Sequence, residues 1–429
     1  METFGGYGWW VSPEIYKYAI GSMAVRGENM FELHGFWSNY PTTPEQIPFP
    51  PTFDPDSTWW PVLDRMVIWA GRVSLLNTGR AVKQTALLIP QRAAECSRKT
   101  ATYAPQTTPI DAAFEEAVYA LEDAQVDFDL VSESFFDNDA AMGVKAKVEN
   151  GKLIIGNGIY SRLIVAGAET MSLETFKVVS EFMRQGGTVA WVGANPKEET
   201  LGRDGELNVE MESVSKTTGK GKLLRCAKSI DLTLLARQQK WMTAEFEGAS
   251  NEIRVLHRRF ANADAYLVFN ESEKVYDGIG GFPSKGAPEL WDVDSGRAFA
   301  GEAVAVKDGN TGVKLHLEPY QFMAVVFKTD GSVGSLVKWK DDSLRQMAAA
   351  PISLHEGWIF KFDKPGNESK PIELGDWTAM DPKFSGTGVY ACEFTLPGGN
   401  PAGKQWLLDL GAVKEFAEVE INGQKAGWL

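Results

Sequence analysis

Cysteine is scarce in this 429-residue chain: Cys96, Cys226 and Cys392 lie far apart. That spacing excludes both a disulfide framework and a thiolate metal site. The four histidines are equally scattered, which argues against a His-rich metal centre. Positive charge is in short supply too, with 43 Lys and Arg against 57 Asp and Glu and a net charge of −14. An electrostatic nucleic-acid binder needs clustered Lys and Arg, so that class is disfavoured. No run of about 18 apolar residues occurs, so nothing reads as a membrane span. A hydrophobic content of 44% with 23% charged residues is ordinary for a folded globular chain. What is plentiful is tryptophan, 14 in all. The length implies two to four domains.

Glu2-Thr3-Phe4-Gly5-Gly6-Tyr7-Gly8-Trp9-Trp10 opens the chain without the charged n-region and apolar h-region of a secretory leader. At the other end, Gly427-Trp428-Leu429 follows directly on a strand-like run and a turn. Exposed apolar strands lack partners, so the chain is expected to be a piece of a longer polypeptide.

Residues 1–82 read as helix, strand, long loop and helix. Ser12-Pro13-Glu14 starts a helix with a cap hydroxyl, proline at the first position and an early acid. Asn29 to His34 reads as a short strand, and Trp59 to about Asn77 as a second helix. Between them Tyr40–Pro61 holds seven prolines, a loop long enough to be functional. This is how the last part of a (β/α)8 barrel is expected to look. Residues 83–240 alternate compact apolar strands (Thr85–Pro90, Phe128–Val131, Arg162–Gly167, Thr188–Val192) with amphipathic helices (Asp111–Leu121, Leu173–Gln185). That rhythm predicts a doubly wound, flavodoxin-like sheet. Residues 241–330 read as a small β-sandwich, with strands at Ala265–Asn270, Pro288–Asp292 and Phe322–Phe327. Residues 331–350 read as a linker, and 351–429 as a further β domain ending in an Asn422-Gly423 hairpin.

Few residues offer chemistry. Glu2 is a carboxylate beside a Gly/aromatic cluster at a strand end, where barrel enzymes place catalytic groups. Glycosidases need two carboxyl groups across the scissile bond, and Tyr7, Trp9 and Trp10 are suited to wall a sugar. The plainer reading of Glu2 alone is a terminal surface acid. His34, at a strand end before Gly35-Phe36-Trp37, is placed to bond a sugar hydroxyl or orient a carboxylate; a satisfied core histidine fits as well. Trp37, Tyr40, Trp59 and Trp60 could shape a saccharide pocket or simply pack. Gly151 to Gly158 lacks the Gly-x-Gly-x-x-Gly pattern of dinucleotide binding. The corner Ala166-Gly167-Ala168-Glu169 carries no nucleophilic Cys, and no histidine lies between His34 and His257, so an amidotransferase is disfavoured. Cys96 and Cys226 read as inert thiols. Asp54 with Asp56, or Asp137 with Asp139, lacks a complete calcium-ligand spacing, and solvated loop acids are the plainer reading.

Taken together, these stretches resemble glycoside hydrolase family 106 α-L-rhamnosidases and their family 2-like relatives. Glu2 to Trp9, Val25 to Phe31 and His34 to Trp37 look like the last two strands of that catalytic barrel. Residues 83–240 resemble a degenerate class I amidotransferase-like domain. Tyr390 and Phe394 through Leu408-Asp409-Leu410-Gly411 to Val419–Gly423 resemble a galactose-binding-like jelly roll, here incomplete. The resemblance implies that Glu2 is the base or nucleophile of the barrel, that Tyr7, Trp9, Trp10, His34 and Trp37 meet the substrate, and that the second carboxyl has no matching position here. The 429 residues alone are therefore expected to be inactive. No cofactor is identifiable; the resemblance allows calcium in the full-length enzyme, but that calcium has no matching position here either. The implied reaction is hydrolysis of O-glycosidic bonds in an oligo- or polysaccharide, with α-L-rhamnosides expected. A β-galactosidase-like enzyme is one alternative. Another is a carbohydrate-binding module using Trp358, Trp377 and Trp406. An extracellular or periplasmic setting fits such a parent enzyme, although the compartment is not written in the sequence.

Overall fold

The structure is a computed structural model that describes residues 2–36, 49–55, 57–97, 108–137, 143–216, 220–248, 251–306, 309–331, 336, 352–396, 406, 408–414 and 416–428. Backbone chemistry sets the first elements. Strand β1 (Glu2–Thr3) is followed by helix α1 (Pro13–Val25), strand β2 (Glu32–Leu33) and helix α2 (Leu63–Leu76). Ser12 starts α1 by accepting from the Ile15 amide at 3.2 Å, with Pro13 in the first turn, where its missing N–H costs nothing. The strand expected over Asn29–His34 pairs only at Glu32–Leu33, because β1 offers just two residues of partner. The helix expected from Trp59 begins as a short 3-10 turn, Trp60–Val62, with Pro61 in it, and becomes α-helical at Leu63.

Residues 83–240 hold a five-stranded parallel sheet. In chain order its elements are β3 (Thr85–Ile89), α3 (Pro109–Asp123), β4 (Phe128–Ser132), β5 (Arg162–Ala166), α4 (Leu173–Gln185), β6 (Thr188–Val192), β7 (Lys222–Cys226) and α5 (Asp231–Gln238). The spatial order β4-β3-β5-β6-β7 is a 2-1-3-4-5 arrangement, with every pairing parallel. Leu87, Leu163, Ile164, Val165, Val189 and Ala190 have no exposed surface, which is why these strands are continuous apolar runs. Helices cover the sheet through Ala117 and Leu121 of α3 and Val179 and Phe182 of α4, all fully buried. Capping fixes where the helices start. Thr108 and Asp111 form a reciprocal capping box on α3, and Ser172 accepts from the Thr175 amide at 3.1 Å on α4. Gly186, at φ 115°, ends α4 in a left-handed conformation that a side chain resists.

Two antiparallel sheets follow. One has six strands in the order 297–300, 288–292, 322–328, 263–270, 253–259 and 80–81; the other has four, 245–246, 276–282, 311–317 and 303–305. Their facing sides share a core in which the Phe282 ring lies 5.0 Å from Tyr266 and 6.0 Å from Phe327. Within 352–428 a three-stranded sheet (370–371, 359–362, 388–391) and a hairpin (418–421 with 424–428) are formed.

Contacts divide the chain into two compact units, Met1–Ile20 with Met30–Gly71 and Lys338–Leu429, and Gly21–Asn29 with Arg72–Val337. Among the described residues no helix is long and apolar enough to cross a membrane.

Candidate active site

Strands β1 and β2 run parallel, with Glu2 opposite Glu32 and Thr3 opposite Leu33. The His34 amide donates to the Thr3 carbonyl at 2.8 Å, extending the ladder by one residue. This register carries the Glu2 and His34 side chains to the same place, and His34 Nδ1 lies 3.0 Å from Glu2 Oε1. Glu2 is 66% exposed and His34 28% exposed, so a solvent-facing carboxylate is held by a more enclosed imidazole. A proton on Nδ1 leaves one rotamer of Glu2 favoured and keeps its other oxygen for a ligand.

Gly5 completes this corner. A Cβ there would stand 3.0 Å from Glu2 Oε1 and 3.4 Å from His34 Cγ, so any larger residue crowds the pair. The sequence reading missed this role, although the Gly5-Gly6 doublet following a strand was its signal. Phe4, at φ 75°, turns its ring inward, where it stacks on Tyr16 at 5.3 Å and meets Phe53 at 5.7 Å. The Tyr7 amide donates to the Phe4 carbonyl at 3.0 Å and the Gly8 amide to Pro50 at 2.7 Å. With the loop so fixed, Tyr7 stacks on Trp10 at 5.8 Å, and both rings stay largely exposed. Trp9 is 51% exposed and has no ring partner among the described residues. Exposed Phe36 and Trp60 form a second aromatic pair, with centroids 6.5 Å apart. Trp37 and Tyr40 lie outside the described residues.

The structure thus joins Glu2 to His34 and Tyr7 to Trp10. Flat, exposed rings present apolar faces that suit the C–H faces of a sugar, and a carboxylate steadied by an imidazole suits attack or proton abstraction.

Metal ligands are not arranged anywhere among the described residues: no group of three His, Cys, Asp or Glu is placed to hold an ion. Asp54 is fully buried and takes the Thr52 hydroxyl. Asp137 accepts from Ser172 at 2.5 Å and from Arg92 at 2.9 Å, so it is a structural acid. Asp56 and Asp139 lie outside the described residues. Among the described residues none of these acids fits a calcium site. Cys226 is buried, which pushes its thiol pKa up, and Gly167 stands at the corner after β5 with φ 69°. Trp358 and Trp377 pack with Tyr390, Phe360 and Phe362, whereas Trp406 is 49% exposed.

The sequence model of glycoside hydrolase family 106, alpha-L-rhamnosidase, matches residues 2–301. The chain is therefore of glycoside hydrolase descent, and it belongs to the family 106 α-L-rhamnosidases. Among solved structures it is similar to a rhamnosidase from Novosphingobium sp. PP1Y, at 21% identity and a TM-score of 0.69 over 99% of this chain and 40% of that one. It is also similar in fold to a catalytic mutant of Gan42B, a GH42 β-galactosidase from G. stearothermophilus (11% identity, TM-score 0.51, covering 74% of this chain and 51% of that one). A β-galactosidase from Rahnella sp. R3 gives 10% identity and a TM-score of 0.50, covering 74% and 52%. The chain spans 40% of the rhamnosidase's length and about half of the β-galactosidases'. No curated protein sequence matches it.

Proposed function

We propose that this chain is part of an enzyme that hydrolyses α-L-rhamnosides in oligo- or polysaccharides, with Glu2 as the base or nucleophile. The observation that carries the reading is the Glu2–His34 pair, 3.0 Å apart at the adjoining ends of two parallel strands. Parallel strands joined through a helix are the repeating unit of a β/α barrel, and barrel catalysis sits at strand ends. Glu2 supplies negative charge opposite the oxocarbenium-like transition state, and His34 holds its rotamer. Tyr7, Trp9, Trp10 and Trp37 are assigned to the sugar's apolar faces. A second carboxyl must protonate the leaving oxygen. The family gives no position for it in these 429 residues, so they are expected not to turn over substrate by themselves.

The same reading assigns residues 1–82 to the end of the catalytic barrel and 83–240 to a flavodoxin-like, degenerate amidotransferase-like domain. It assigns 241–330 to a small β-sandwich, 331–350 to a linker and 351–429 to an incomplete galactose-binding-like jelly roll. The 2-1-3-4-5 sheet order supports the second assignment, and the absence of Cys and His from its strand corner supports catalytic silence. Family membership favours rhamnoside over β-galactoside substrates. Packing of Trp358 and Trp377 into an aromatic cluster weighs against their use as sugar platforms.

The test is hydrolysis of an aryl α-L-rhamnoside by a polypeptide carrying these residues together with the second carboxyl. Glu2→Gln is expected to lower kcat by about 10²–10⁴ with KM little changed. His34→Ala should cost less and shift the pH profile of kcat. Full activity in Glu2→Gln, or equal turnover of aryl β-galactosides, would overturn the proposal.

A further inference from the structure

At the amino-terminal edge of the parallel sheet, away from the strand ends where such sheets usually bind ligands, lies a recess of about 380 Å³. Arg162, Thr188 and Lys222 are the first residues of β5, β6 and β7 and stand opposite one another in register. Side chains in one row share a face, so both cations reach into the same space, and Lys152 joins them from a hairpin strand. That hairpin can approach because Gly151 has no Cβ; one there would stand 2.7 Å from the Gln185 carbonyl. The guanidinium of Arg162 lies over Trp241 at 5.5 Å. Its Nε is enclosed and meets no hydrogen-bond acceptor among the described residues. No acidic residue lines the recess among the described residues.

Two helices end here, α4 at Gly186 and α5 at Gln239. Each C-terminus carries roughly half a negative charge. Together they offset about one of the three positive charges, leaving an excess of about two, in a chain whose net charge is −14. With no lining acid to pair them, the charges of Arg162, Lys222 and Lys152 leave this recess suited to an acceptor from outside.

We propose that this recess binds a small oxyanion, a carboxylate or phosphate, on a molecule no larger than a monosaccharide. Arg162 and Lys222 take the charge, and Ser161 and Thr188 are the nearby hydroxyls. The volume sets the size limit, lying at the small end of ligand pockets. The assignment is independent of the role of Glu2.

The 429-residue protein at low ionic strength is titrated with inorganic phosphate, D-glucuronate and D-glucose, following thermal stability and heat of binding. Phosphate or glucuronate should bind and raise Tm, glucose should not, and added salt should weaken the effect. Tighter binding of glucuronate than phosphate identifies an acidic sugar, and the reverse a free oxyanion. Lys222→Gln should weaken binding about two- to fivefold and Arg162→Gln by about tenfold or more. Lys197→Gln, an exposed lysine outside the recess, should change nothing. Should Arg162→Gln unfold, the double variant Lys152→Gln/Lys222→Gln leaves the Arg162–Trp241 contact intact and should still lose most binding. Absence of anion binding, an equal response to glucose, or undiminished binding in the double variant would overturn the proposal.

Discussion

Single residues carry the sharpest consequences. Glu133 has no exposed surface, and its Oε2 accepts from the Arg92 amide at 2.7 Å. Burial lifts its carboxyl pKa from 4.5 to about 7, against the lowering effect of that amide. The native state then binds the proton more tightly than the unfolded chain. Its contribution is complete below pH 4.5 and is lost as pH rises through about 7, of order 3 kcal/mol in all. Glu133→Gln mimics the protonated acid. It should leave stability at pH 5 nearly unchanged and raise it at pH 8, read by urea denaturation with hydrogen exchange of the strand Thr85–Ile89. An unaltered pH slope in the variant would remove Glu133 from the account. No sequence signal marks this residue, since burial of an acid depends on which strands become neighbours. Glu2 and His34, by contrast, were legible as strand-end groups, but their 3.0 Å approach depends on a parallel register that two-residue strands do not reveal.

At the scale of elements, apolar runs locate four of the five parallel strands to within a residue, because burial on both faces leaves little room for polar side chains; the fifth, Lys222–Cys226, went unread because this edge strand is largely exposed and carries Lys222 and Arg225. The antiparallel sheets were less legible. Tyr276–Phe282 contains Gly278, Gly280 and Gly281, residues that ordinarily weaken a strand, yet it is a seven-residue strand. At Gly280 a Cβ would stand 2.8 Å from the Phe282 ring and 2.9 Å from Leu315, so glycine there permits packing and does not break the strand. Ile253–Arg259, with three arginines and a histidine, hides its strand for another reason: Arg258 and His257 are buried in polar contacts, to Asn77 at 3.1 Å and Asp264 at 2.7 Å. Gly21 in α1 poses the same question with a decidable sign. Alanine is better than glycine in a helix by about 1 kcal/mol. A Cβ at Gly21 would, however, stand 2.4–2.9 Å from three ring atoms of Phe269, a side chain with no exposed surface. Overpacking of this kind costs about 1–3 kcal/mol or more, so after the gain in propensity Gly21→Ala is expected to destabilise by up to about 2 kcal/mol in urea. A neutral or stabilising result would mean that the contact yields freely.

For the molecule as a whole, charge and burial favour a mildly acidic optimum. Burial alone would raise the Glu271 carboxyl, but hydrogen bonds from Arg26 and Ser22, with Arg254 beside them, outweigh it and hold the pKa near 2. Glu199 is likewise opposed by burial. It is held at about 2 by Arg203 and by the amides of Leu173, Leu201 and Arg203. Both folded-state values lie below 4.5, so their stabilisation is present above that pH and is lost only as pH falls through about 2. Glu133 acts in the other direction and weakens the fold as pH rises toward 8. The net charge of −14 at pH 7 adds self-repulsion that protonation relieves. Tm is therefore expected to be higher at pH 5.5 than at pH 8. The two contributions differ in their response to salt: dispersed surface charge is screened beyond about 10 Å at 0.1 M ionic strength, whereas an enclosed carboxyl is screened far less. Adding salt should shrink the difference in wild type to a remainder, and that remainder should fall or reverse in Glu133→Gln, where buried His257, its pKa lowered by burial, still weakens the fold toward acid pH. A Tm that climbs steadily from pH 5.5 to pH 8 would show that neither effect governs the fold. A difference abolished by salt alone would leave the net charge as its source and Glu133 without a part in it.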